Sequence, residues 1–311
     1  MAKILTQLPA IANFDVQGHR GARGLRPENT LPGFAHAIEL GVTTLELDTG
    51  LSADGVLMVC HDPVLNPTLC LDRSGRRLSG QPSLRLKDLR VEELQQFDCG
   101  SLNPDPQRFP LQQAVPGAWI PTLQQVFDLA ERLNPQIRYN IESKVSPLQP
   151  ELTASPEAFA ATLVAIVEQN KLVDRVTIQS FDWRVLQRVK QLNPQIQTSA
   201  LVLHNATTST LDYAASPSPF LAGWNYHKFR GHLPELLRAT GFIDIYSPNW
   251  ETLGPGSSVF LQSVAAVQAA GFPVIAWTVN DVDTMRQLIE LGVNGLITDR
   301  PDTLLNLLAN F

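Results

Sequence analysis

Phe14-Asp15-Val16-Gln17-Gly18-His19, then the run 31–40 stopped by Gly41, then Thr43-Thr44-Leu45-Glu46-Leu47-Asp48, read as strand, helix and strand within 35 residues. The outer two runs are short and apolar along one face. The middle run has helical spacing and ends on a glycine, the residue that most easily leaves a helix. The same rhythm continues down the chain. Strands are expected at 14–19, 43–48, 138–144, 176–181, 198–203, 243–248, 273–280 and 295–299, and helices at 31–40, 123–133, 156–169, 183–192, 233–240, 258–270, 282–291 and 302–307. Eight strands each followed by a helix predict an α/β fold, a (β/α)8 TIM barrel. A doubly wound open sheet is the alternative, but no Gly-x-Gly-x-x-Gly follows the first strand.

One segment breaks the alternation. Between 63 and 118 turn formers accumulate, as in Asn103-Pro104-Asp105-Pro106 and Val115-Pro116-Gly117, with a single weak helix near 84–97. It reads as an insertion after the second strand of one domain spanning 1–311. In a barrel it would emerge on the face that builds active sites and could cap the pocket. The stretch 204–226, rich in Thr, Ser and Ala, reads as a second rim loop.

Composition narrows the class. The chain has 311 residues, 44% hydrophobic and 17% charged, which excludes wholesale disorder. A net charge of -6 gives no footprint for nucleic acid or anionic lipid, and no apolar run nears a membrane-spanning helix, so no stable membrane insertion is expected. Met1–Ala10 is too short and interrupted for a good signal peptide, although a chain with its leader removed would look the same. Compartment and oligomeric state stay open: cytoplasmic, periplasmic and secreted all fit. The three cysteines form no Cys-x-x-Cys unit and no paired framework. Cys60 reads as a buried small hydrophobe. A Cys60–Cys70 or Cys70–Cys99 disulfide is the lesser alternative.

The chemistry-bearing residues cluster at strand ends. Glu46 and Asp48 stand at i and i+2, so both project from one face of a strand, and two inward carboxylates repel unless a cation lies between them. Hard oxygen donors favour Mg²⁺ or Ca²⁺ over Zn²⁺. Glu142 and Lys144 repeat that spacing on the next barrel strand; a third carboxylate ligand with an ammonium for phosphate is one reading, a plain same-face ion pair the other. His19-Arg20 closes the first strand, where a planar guanidinium could grip phosphate and an imidazole could move a proton, or both could merely cap the surface. Asn29 or Thr30 could be a helix N-cap, and Glu28 could reach the metal or orient a histidine. His61 is the second proton carrier, and Asp62 could fix its tautomer. His36, His204, His227 and His232 read as structural or solvated.

Together these motifs resemble the glycerophosphodiester phosphodiesterase family. The resemblance lies in His19-Arg20-Gly21 with Pro27-Glu28-Asn29-Thr30, Phe34-Ala35-His36-Ala37 running to Gly41, Glu46-Leu47-Asp48, and Asp54-Gly55 with His61-Asp62. It extends through Pro121-Thr122-Leu123, Ile141-Glu142-Ser143-Lys144, Gln179-Ser180-Phe181, Trp277-Thr278-Val279-Asn280 and Ile297-Thr298-Asp299, nearly the whole chain in order. Ser52 replaces a threonine common in that family's Thr-x-Asp-Gly turn, where either hydroxyl can serve.

The resemblance implies a metal-dependent hydrolase on a TIM barrel that cleaves a small-molecule glycerophosphodiester to glycerol 3-phosphate and an alcohol. Glu46, Asp48 and Glu142 would hold the divalent ion, Arg20 and Lys144 the phosphate, and His19 and His61 would act as general base and acid. Phe181 and Trp277 would form an apolar wall for the glycerol. A related lysophospholipase D or sphingomyelinase D-like barrel is one alternative; a catalytically silent phosphodiester-binding barrel is another.

Overall fold

The computed structural model describes residues 13–79, 83–212 and 217–311. Met1–Ala10 and part of the 204–226 stretch lie outside them. Among the described residues nine strands form one sheet: β1 (Asp15–Gly18), β2 (Thr44–Leu51), β3 (Leu57–Val59), β4 (Arg138–Ser143), β5 (Val176–Ser180), β6 (Gln197–Val202), β7 (Ile245–Pro248), β8 (Ile275–Ala276) and β9 (Gly295–Thr298). Eight of them run parallel in the order β7-β6-β5-β4-β2-β1-β9-β8. Parallel bridges Tyr246–Val274 and Asn249–Trp277 bring the two edges together, so the barrel is nearly closed. The expected (β/α)8 architecture is the observed one.

Local chemistry sets the element ends. Thr30 caps helix Leu31–Leu40 by accepting from the Gly33 amide, and Gly41 ends it at φ 97°. Thr122 and Gln125 form a reciprocal capping box on helix Leu123–Leu133. Along β2, Leu45 and Leu47 bury outward in the main apolar core against the helices, which leaves Glu46 and Asp48 facing the barrel interior.

Three local expectations change. The helix expected at 258–270 begins only at Val264, because Ser263 caps it and Leu261 is bonded to the Thr252 carbonyl. The helix expected near 84–97 is a 3₁₀ turn, Leu86–Asp88, and one α turn, Val91–Leu94. Its start is captured by a Val64–Arg85 bridge, so the backbone is already extended there. Finally, 57–59 is an additional strand. The second strand outruns the barrel and folds back antiparallel, pairing Thr49 with Val59 and Leu51 with Leu57. Ser52 serves that turn: its hydroxyl donates to Asp54 and accepts from the Val56 amide.

Between β3 and helix Leu123–Leu133 the chain builds a second apolar cluster around Met58, Leu65, Leu78, Leu86, Leu94 and Ile120. Cys70 and Cys99 are joined within it by a disulfide, which corrects the expectation of unpaired cysteines. Separated by 29 positions, they meet because Leu71 and Asp98 form an antiparallel bridge beside them. Cys60 is free and only partly exposed, and burial pushes its thiol up to about 12.

Candidate active site

The barrel interior is polar where bulky aliphatic layers usually fill such folds. Asn140 donates to Gln17 Oε1 (2.7 Å) and Gln179 Oε1 (3.0 Å), and Gln179 in turn donates to Glu46 Oε1 (2.7 Å). This buried amide chain fixes Glu46 from below. From above, the Arg20 amide donates to Glu46 Oε2 at 2.9 Å. Asp48 faces Glu142 in register across β2 and β4. Strand geometry therefore converges the three carboxylates, whose nearest oxygens all lie within 4.8 Å of one another.

The electrostatics of this trio favour a cation. Burial lifts Glu46 well above the usual glutamate range, and its neighbours Asp48 and Glu142 lift it further. Glu142 is raised for the same first reason, although Lys144 opposes it. Burial would raise Asp48 as well, but Arg20, His61 and Lys144 hold it well below the carboxylate range. Asp48 Oδ1 is buried without a hydrogen-bond partner. An orphaned carboxylate oxygen beside two carboxylates that resist ionisation fits a hard divalent ion with oxygen ligands.

Two imidazoles flank the trio, each backed by a carboxylate. His19 Nδ1 is 2.6 Å from Asp299 Oδ1, and His61 Nδ1 is 2.7 Å from Asp62 Oδ1. In the neutral ring that arrangement places the proton on Nδ1 and leaves Nε2 free toward the cavity. Burial lowers His19 despite Asp299, which favours the neutral ring. Burial would raise Asp62, but His61 and Asn66 hold it below the aspartate range.

The loop after β1 is folded for its task. Arg20 and Asn29 both adopt left-handed backbone, φ 51° and 54°, a strained state for residues with a Cβ. The Asn29 amide donates to the Arg20 carbonyl, and its side chain donates to Asp48 Oδ2 at 2.9 Å. Thr30, rather than Asn29, caps the helix. Among the described residues Glu28 makes no hydrogen bond to the carboxylate trio or to a histidine. It binds two guanidiniums, accepting from Arg20 Nη1 (2.7 Å) and pairing with Arg23 Nε (2.5 Å). Arg20 Nε also lies 3.0 Å from Asp48 Oδ2, so two of the three nitrogens of this guanidinium are committed to carboxylates. Lys144 Nζ donates to Glu142 at 2.8 Å and stands 3.6 Å from Asp48 Oδ1.

His19, Arg20, Glu46, His61, Glu142 and Lys144 line one cavity of about 220 Å³ at the C-terminal ends of the strands, with Asp48 directly behind. Phe181 and Trp277 form its opposite wall as an edge-to-face pair, centroids 5.5 Å apart. The residues expected to act as catalytic groups, metal ligands and substrate contacts thus meet at one place, whereas Glu28, Asn29, Thr30 and Asp62 lie outside the cavity lining. Three contributors carried no assigned role there: Asp299, Gln179 and Asn280, the last of which donates to Asp299 Oδ2 at 2.7 Å. Barrel closure offers the signal for Asp299, since β9 pairs with β1 and its end must lie beside His19.

A polar-cored (β/α)8 barrel with this mouth has the donor set for a hard divalent ion and for proton transfer. Residues 19–303 match the model of the Glycerophosphoryl diester phosphodiesterase family, and the chain belongs to that family. It is 26% identical to the glycerophosphodiester phosphodiesterase of Caldanaerobacter subterraneus subsp. tengcongensis, over 94% of this chain and 96% of that one. A Silicibacter pomeroyi crystal structure that carries the family name superposes with a TM-score of 0.81 at 29% identity, covering 98% of this chain and 97% of the other. The fold is shared with an Oleispira antarctica phosphodiesterase solved with its product sn-glycerol-3-phosphate (TM-score 0.67, 22% identity, covering 96% and 98%). Among the described residues no helix is long and apolar enough to cross a membrane.

Proposed function

We propose that this chain hydrolyses glycerophosphodiesters to glycerol 3-phosphate and an alcohol, in a reaction that needs Mg²⁺ or Ca²⁺. One observation carries the reading: three converging buried carboxylates open on a cavity that also holds two carboxylate-backed imidazoles. Glu46, Asp48 and Glu142 would hold the ion, which when bound supplies positive charge against the phosphoryl oxygens.

The remaining roles fall to the chain's own groups. Lys144 and the uncommitted Nη2 of Arg20 bind phosphate oxygens. His19 Nε2 takes the proton of the attacking hydroxyl, a bond forms from that oxygen to phosphorus, and the bond to the alcohol breaks. His61 gives its proton to the departing alkoxide, and Asp62 orients its ring through Nδ1. If the substrate's own glycerol hydroxyl attacks, a cyclic phosphate forms, and the two histidines exchange roles when water opens it. Phe181 and Trp277 exclude water beside the glycerol carbons.

Release of glycerol 3-phosphate from glycerophosphocholine tests the proposal. Turnover should cease in EDTA and return with Mg²⁺ or Ca²⁺. Turnover confined to lysolipid would replace the reading with a lysophospholipase D-type reaction.

A further inference from the structure

Phe109, in the segment between β3 and helix Leu123–Leu133, is a buried ring with two guanidiniums stacked on it. Arg23 Cζ lies 4.7 Å and Arg108 Cζ 5.1 Å from its centroid. The packing is fixed from several directions. Gln112 donates to the Arg23 carbonyl (2.7 Å), the Gln113 amide to the Leu25 carbonyl (3.0 Å), and Asn103 to the Phe109 carbonyl (2.8 Å). The inserted segment is thus clamped to the loop that carries His19 and Arg20. Both stacked arginines line the same cavity as the histidines and the carboxylate trio.

Their charge is incompletely answered. Arg23 shares the single carboxylate of Glu28 with Arg20. The carboxylate nearest the Arg108 guanidinium is Asp299, 3.7 Å away and already bonded to His19 and Asn280, while Asp105 accepts from the Arg108 backbone amide. Among the described residues neither arginine donates a side-chain hydrogen bond from its terminal nitrogens, and Arg108 is 53% exposed. Two guanidiniums held by ring stacking, with donors to spare, form a pre-organised receptor for an anionic group.

We propose that Arg23 and Arg108 form an anion subsite in the wall of this cavity, selecting diesters whose alcohol bears a phosphate or carboxylate over those bearing a quaternary ammonium. The idea rests on the proposed phosphodiesterase function and adds the substrate class to it.

The experiment compares kcat/KM for glycerophosphoinositol 4-phosphate, glycerophosphoinositol and glycerophosphocholine with Mg²⁺ or Ca²⁺ present. In parallel, calorimetry with His61→Ala measures Kd for the same three compounds without turnover. The phosphorylated compound should be favoured about tenfold over glycerophosphoinositol in both assays, the weight of one charge-assisted contact. Arg108→Gln, on an exposed side chain, should erase that preference through KM, and Arg108→Glu should reverse it. High salt should shrink it. Equal or choline-favouring ratios in the native protein, or a ratio unmoved by Arg108→Gln, would overturn the subsite. Absence of turnover on all three compounds would instead sink the proposed function, and the Kd ratio would then still decide for or against the subsite.

Discussion

His19 Nδ1 and Asp299 Oδ1 lie 2.6 Å apart although 280 positions separate them, because the first and last barrel strands are neighbours. Asp299 holds the imidazole with its free nitrogen toward the cavity and makes it more basic than its buried position alone would allow. Asp299→Asn keeps an acceptor in place but removes the charge. We expect kcat/KM to fall on the order of 10²-fold, within the span of general acid–base catalysis. The acid limb of the pH profile should move to lower pH, since the group that raises His19 is gone. An unmoved limb would separate Asp299 from the base.

Stability of the metal-free protein should fall as pH rises above the ordinary glutamate value of 4.5. Folded Glu46 and Glu142 keep their protons above that value while the unfolded chain releases them, so the unfolded state binds fewer protons in this window. A bound divalent ion ionises both carboxylates and should flatten the slope. At a concentration about 100 times its Kd it should add about 2.7 kcal/mol. Melting temperatures across pH, with EDTA and with Mg²⁺ or Ca²⁺, test this; identical slopes would refute a cation site. Glu46→Gln should be inactive yet more stable than the metal-free parent at neutral pH.

Gln179 is the link between Glu46 and the interior amides. Gln179→Leu leaves one Asn140 proton without its acceptor and frees a Glu46 oxygen, at a cost of about 1–3 kcal/mol. Denaturant midpoints will register the loss. Activity should decline further than stability does, because Glu46 loses one of its two positioning bonds.

The Cys70–Cys99 disulfide closes a loop within the second apolar cluster, with a sequence separation of 29. Cys70→Ser with Cys99→Ser should destabilise that segment by about 3 kcal/mol or less. Protease sensitivity should rise between residues 60 and 118, while the barrel's far-ultraviolet signal should be unchanged.

Periodicity was a good guide wherever one element buries one face. Leu45 and Leu47 announced the helix-facing side of β2, and Glu46 and Asp48 followed from the alternation. Caps such as Thr30 and stops such as Gly41 set helix ends with little tertiary help. The return strand 57–59 was not legible in this way, because three residues show no period and their pairing depends on β2 outrunning the barrel. Glu28 was misread since its role requires knowing that two arginines converge on it. Asp299 and Gln179 stood in quoted motifs without a role, their partners lying 280 and 133 positions away. The disulfide likewise depended on a bridge between residues 71 and 98 that composition cannot show.

The hairpin of β2 and β3 pins both ends of the excursion that follows. Val59 donates to the Pro121 carbonyl at 2.8 Å, Met58 bridges Thr122, and the Cys60 amide donates to the Asp48 carbonyl at 3.0 Å. Departure and return therefore share one anchor, which is also the backbone of an acidic residue in the cavity and the approach to His61. What lies between can lengthen, shorten or be exchanged with little entropic penalty at its base. The fold thus keeps a fixed socket with a replaceable fitting: the chemistry stays in the barrel, and the choice of what enters can be rewritten in the segment that carries Arg108.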